Sequence, residues 1–121
     1  MKFKNSDHEQ RFLQLLSRMK NRDAYHRSAA YLMALVPMAA SDVFDFEDDC
    51  IRHEGLYADW QTHSSLKATR LMFNLWNFTH EDHAADNPEE TSRYYTVDEI
   101  FSNREYAPYF YEAIRIRNEW I

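Results

Sequence analysis

One glycine and three prolines are the whole supply of dedicated turn residues in 121 positions. Tight hairpins need residues at positive φ, which glycine adopts freely and other residues adopt at a cost. A many-stranded domain would need such turns repeatedly, so this chain is directed toward helices. Hydrophobic residues make up 45% and aromatics 16%, enough to close a core around large side chains and too much for global disorder. The length suits one core rather than two. The expected fold is all-α: a single helical domain over residues 1–121, with about five or six short helices around a central helix at 65–78.

The chain supports that expectation segment by segment. Ser6 and Glu9 have capping-box spacing, followed by Phe12, Leu13, Leu15, Leu16 and Met19 at helical spacing, which predicts a helix from about Asp7 to Lys20. Asn21 or Asp23 can cap a second helix with Tyr25, Ala29, Leu32, Met33 and Val36 facing inward, ending near Pro37. Ser41 can cap a third, short one carrying Val43, Phe44 and Phe46, with Asp42 and Asp45 in its first turn and Gly55 as a stop. Residues 56–63 read as an ordered aromatic loop. Ser64 or Ser65 opens the strongest helix, with Leu66, Leu71, Met72, Phe73, Leu75, Trp76 and Phe78 apolar on more than one face. The stretch 80–93 reads as loop. Thr96 and Glu99 form another capping box, and Pro108 suits the first turn of a last helix. Leu16, Leu32, Phe46, Phe73, Trp76 and Phe110 are the expected core.

Charge narrows the function. Twenty acids against 14 bases give a net charge of −6, which repels phosphate backbones at long range and attracts basic surfaces. The bases are scattered, and Arg115 and Arg117, two apart, do not share a helical face, so direct nucleic-acid binding is not expected. One cysteine excludes an intramolecular disulfide and fits a reducing compartment. No apolar run near the first residue resembles a leader, and no window approaches the ~18 apolar residues of a membrane span. The expectation is a soluble cytoplasmic protein, in a bacterial host cell on the resemblance described below.

The stretch Phe44 to Leu56 concentrates local acid, the single cysteine and the single glycine, and several chemistries compete for it. Cys50 and His53 have C-x2-H spacing, and His80 and His83 have H-x2-H spacing. Two such pairs would suit tetrahedral zinc, structural or hydrolytic, if the chain folds back past the intervening helix. Asp45, Glu47, Asp48 and Asp49 offer oxygen ligands for a harder cation, with Asp45 and Asp48 on one helical face and His8 and His26 able to join if the first two helices pack there. Catalysis has less support, because there is no glycine-rich loop, no G-x-S-x-G and no P-loop, and no residue is assigned a catalytic role. The remaining reading is a protein-binding surface: Asp45, Glu47, Asp48, Asp49, Glu89 and Glu90 would meet a basic groove, with Tyr57, Trp60, Tyr94 and Tyr95 as aromatic anchors.

A series of motifs spans nearly the whole chain. It runs from Phe3-Lys4-Asn5 with His8 and Arg11-Phe12, through Tyr25-His26, Tyr31-Leu32, the segment Phe44 to Ile51 and Gly55-Leu56. It continues with Trp60-Gln61-Thr62, Thr69-Arg70-Leu71 and Phe73 to Asn77, and ends at Tyr106 to Phe110 with Glu112-Ala113-Ile114. The series resembles a small uncharacterised bacterial family, a domain of unknown function found mainly in Firmicutes and their phages and mobile elements. The chain departs from that pattern at His53 and over His80 to His83, so a metal site there would be peculiar to this member. The resemblance brings no activity. It implies a context in which small acidic proteins bind and block a host protein, and the expected function is a non-catalytic inhibitor of a nucleic-acid-handling defence nuclease, of the anti-CRISPR type. Zinc binding is the alternative.

Overall fold

A computed structural model of the chain describes residues 1–82 and 95–120. Within them the fold is helical: α1 (Ser6–Arg18), α2 (Ala24–Leu35), α3 (Ala40–Val43), α4 (His63–Asn77), α5 (Val97–Ile100) and α6 (Ala107–Asn118), with a 3-10 turn at His53–Tyr57. To these it adds one two-stranded antiparallel hairpin, β1 (Phe44–Asp45) and β2 (Cys50–Ile51), pairing Phe44 with Ile51 and Asp45 with Cys50.

The helix starts are set by side-chain caps. Asn5, one residue before the expected Ser6, accepts the His8 amide and opens α1, while Asp23 accepts the His26 amide and opens α2. α4 begins at His63 and not at the serines: Thr62 accepts the Ser65 amide, and the Ser65 hydroxyl accepts the Thr62 amide in return. Thr96 caps α5 through the Glu99 amide, and Pro108 sits in the first turn of α6.

The innermost helix is α2 rather than the expected segment 65–78. Ten of its twelve residues are buried, and α1, α4 and α6 all pack on it. Ser28, Ala29, Ala30 and Ala34 are small enough to let three neighbours approach, and Tyr31, Leu32, Met33 and Leu35 fill the space between them. The large apolar residues of α4 drew attention to it, but its last turn reaches the periphery. Trp76 is half-buried and Phe78 is exposed. Leu16, Leu32, Phe73 and Phe110 are core as expected, and Phe46 is half-buried.

The expected helix through Phe46 ends at Val43, and Asp45 and Asp48 therefore do not share a helical face. Asp45 turns the chain instead, because its Oδ1 accepts the amides of Glu47 (3.0 Å) and Asp48 (2.9 Å), a local bond that competes with helix. α3 itself starts at Ala40 after Ala39, with no side-chain cap from Ser41. Gly55 does not stop a helix. It lies inside the 3-10 turn where a Cβ would fall 2.3 Å from the Asp42 carbonyl oxygen and 2.7 Å from Val43 Cγ1, so its lack of a side chain lets this turn press on the end of α3. With no second glycine to use, the described residues take left-handed positions at Asp49, Phe78 and Glu119.

Candidate functional site

The hairpin 44–51 carries most of the acids singled out above, and it is fixed from several directions. At its base Phe44 is fully buried, edge-on to Trp76 and to Phe46. The Arg18 guanidinium lies 4.0 Å above the Phe46 ring, bringing α1 against the loop. Arg52 donates to Asp45 Oδ2 at 3.2 Å. The Asp48 amide, then the Glu47 amide and Arg52, hold the Asp45 carboxyl below the usual carboxylate range.

The strongest tie crosses to α2. His26 is 5% exposed, and its two ring nitrogens meet two carboxylates: Nδ1 to Asp23 Oδ1 at 2.7 Å and Nε2 to Asp49 Oδ1 at 2.7 Å. Asp49 reaches it from a left-handed backbone position, φ 58°, which aspartate tolerates better than most residues. A neutral imidazole has one N–H and could serve one of the two acids; the imidazolium serves both. Burial opposes that charge, but the bonds to Asp23 and Asp49 outweigh it and raise the His26 pKa. For Asp23, too, burial is outweighed: its bonds from His26 hold the carboxyl below its ordinary value. Trp76 covers the imidazole edge-on at 4.9 Å.

This arrangement sorts the predicted residues. Asp45 and Asp49 spend their carboxylates inside the protein, on the turn and on His26. Glu47 and Asp48 remain exposed at the tip. Glu89 and Glu90 lie outside the described residues, as do His83 and Tyr94. Of the aromatic anchors, Tyr57 is exposed, Trp60 is half-buried and donates to Asp42 at 2.8 Å, and Tyr95 lies beside Arg70. His26 does join the acid cluster, as the hard-cation reading allowed, but as a clamp between the carboxylates of Asp23 and Asp49. His8 does not. It is fully buried at the start of α1, where it accepts the Lys4 amide at Nδ1 and donates from Nε2 to the Tyr31 carbonyl at 3.0 Å, and burial pushes its pKa down.

Of the proposed zinc ligands, Cys50 is exposed on β2, His53 is half-buried with its ring 5.3 Å from that of Phe73, and His80 is exposed beyond α4. Among the described residues no three His, Cys, Asp or Glu side chains are grouped so as to hold a metal ion. The bases of the last helix are engaged internally: Arg115 pairs with Glu112, while Arg117 donates to the Leu75 carbonyl and covers the Tyr25 ring.

A second charged cluster escaped the sequence reading. Arg70, 5% exposed on α4, forms a two-pronged pair with Asp82, 3% exposed, and donates to Glu99 at 2.6 Å. It ties the segment after α4 to α5. An arginine directly before the apolar run Leu71 to Phe73 was the available signal.

Fold and site together define a small helical domain that displays a braced acidic hairpin. The chain belongs to a family of unknown function (DUF6075), whose model matches residues 1–119. Comparison with curated proteins and with solved structures finds no match. Among the described residues no helix is long and apolar enough to cross a membrane.

Proposed function

We propose that this chain is a non-catalytic binding domain that presents Glu47 and Asp48 to a basic surface on a partner protein, with the nucleic-acid groove of a host nuclease as the partner class. The observation that carries the reading is the contrast within one hairpin: an exposed acidic tip on a base held by His26, Arg52, Arg18 and buried Phe44. A loop already fixed in its bound shape loses little freedom on association, so more of the contact energy appears as affinity. Acidic side chains at the rim of an interface steer encounter and make it salt-dependent. The same braces explain why Asp45 and Asp49 support the surface without forming it.

The test is the double reversal Glu47→Lys with Asp48→Lys. Both side chains are exposed, so unfolding should shift by no more than about 0.5 kcal/mol. Competition with DNA for purified RNA-guided nucleases, read by fluorescence anisotropy, should show displacement by the native chain that weakens with salt and disappears in the reversed variant. Displacement undiminished by the reversal would remove the hairpin from the contact. No displacement from any nuclease tried would remove the nuclease as partner class.

A further inference from the structure

α1 presents Arg11, Gln14, Leu15 and Arg18 along one side, at spacings of three, four and seven residues that share a helical face. That face, with Met33 of α2, Met38 of the α2–α3 link and Ala40 at the start of α3, lines a cavity of about 270 Å³. The two arginines lie two turns apart, about 10 Å along the axis. Each is tethered by a neutral acceptor: Arg11 Nε donates to the Ala34 carbonyl at 2.8 Å, and Arg18 Nη2 donates to the Ser41 hydroxyl at 3.1 Å. Neither has a carboxylate within 4.0 Å among the described residues, and the terminal nitrogens of Arg11 make no hydrogen bond there. Arg22, Arg104 and Arg117 likewise lack a carboxylate partner among the described residues, but only Arg11 and Arg18 border this cavity. Arg27, Arg52, Arg70 and Arg115 all pair with carboxylates.

We propose that this cavity is a binding site for a small organic anion, a carboxylate carried on a short aliphatic chain. The guanidiniums supply fixed donors suited to a carboxylate, and the Gln14 amide adds a neutral donor and acceptor. The floor decides the rest of the ligand. Leu15, Met33, Met38 and Ala40 offer no ring on which a nucleobase could stack, whereas methionines adapt to a flexible aliphatic chain. The site excludes the hairpin tip and shares Arg18 with the hairpin's braces, so the acid–alcohol comparison on the native chain and the Arg11 variant test it separately from the partner-binding reading.

The experiment is a two-dimensional amide NMR titration of the full chain with octanoate, kept below its micelle-forming concentration, and in parallel with 1-octanol as the uncharged match. The expected result is saturable movement of the Leu15, Met33, Met38 and Ala40 signals by octanoate, with octanol at least about tenfold weaker, the loss expected when a charge-assisted bond is missing. Arg11→Gln should weaken octanoate by a similar factor, and Arg18→Lys, which keeps the charge, by less. Equal affinity for acid and alcohol, or no saturable movement at those four positions, overturns the proposal. Because the acid–alcohol comparison uses the native chain, it does not depend on either variant folding.

Discussion

Asp49→Asn separates the two things Asp49 does, because asparagine also tolerates the left-handed backbone but cannot hold a proton on His26. In the native chain one charge-assisted bond joins Asp49 to His26 at 2.7 Å. Such bonds contribute about 1.5–3 kcal/mol. The Asp49 side chain is 32% exposed, so solvent screening lowers its share below that range, to about 1–1.5 kcal/mol. The pH dependence follows from His26, whose folded pKa is raised. A raised folded pKa means that the stabilisation is complete below the unfolded value of about 6.5 and is lost as pH rises through the folded value. The deficit of the variant should therefore be larger below about pH 6.5 than in the alkaline range. At pH 9 it should shrink or reverse, because the asparagine amide can donate to a neutral imidazole. Urea unfolding at pH 5.5 and 9 measures the deficit, and NMR titration of the His26 ring reads the pKa directly. A deficit equal at both pH values, or a His26 pKa at or below the ordinary histidine value in the native chain, would refute the clamp.

Three other outcomes follow from particular contacts. Gly55→Ala forces a Cβ to 2.3 Å from a backbone carbonyl that has little room to retreat, and should cost about 1–3 kcal/mol in urea unfolding, with chemical-shift changes centred on Asp42 and Val43. Phe78→Gly should stabilise by up to about 1 kcal/mol, since the residue sits at φ 66° with its side chain 76% exposed and so has left-handed strain to lose and little packing. EDTA should leave thermal unfolding unchanged if the hairpin is braced by its side-chain contacts without a metal; a chelator-induced drop that Cys50→Ser abolishes would return zinc to the account.

The helices were legible wherever one strong local rule acted. Asp23, Thr96 and Pro108 sit where capping and proline chemistry place them, and Phe12 and Leu16 follow the helical period into the core. The centre of the fold was not legible by the same means. Large apolar side chains advertise burial in a sequence, so α4 looked central, whereas α2 is enclosed because Ser28, Ala29, Ala30 and Ala34 are small. Alanine suits an exposed helix and a tightly packed one equally, and only the neighbours decide. Gly55 was misread for a related reason: glycine at the end of a pattern suggests a stop, while here it serves a contact with α3, which no local rule encodes.

The hairpin shows why acidic clusters are hard to read as sites. Four carboxylates within five residues, Asp45, Glu47, Asp48 and Asp49, look equivalent on the page, but their environments divide them. Asp45 is occupied by two amides one turn ahead, a pairing that Asx-turn chemistry can produce locally. Asp49 is occupied by a histidine 23 residues earlier, which depends on α2 passing beneath the loop. The first assignment could be made from spacing and the second could not. Once both are made, the exposed charge reduces to Glu47 and Asp48, and charge reversal distinguishes the two pairs. Reversal at the tip should change what the protein binds. Reversal at Asp45 or Asp49 should change whether the tip holds its shape, and would mimic a binding defect by loosening the fold. A binding assay on the hairpin is therefore interpretable only with unfolding measured on the same variants, and the informative pair is Glu47 with Asp48, not the acidic run as a whole.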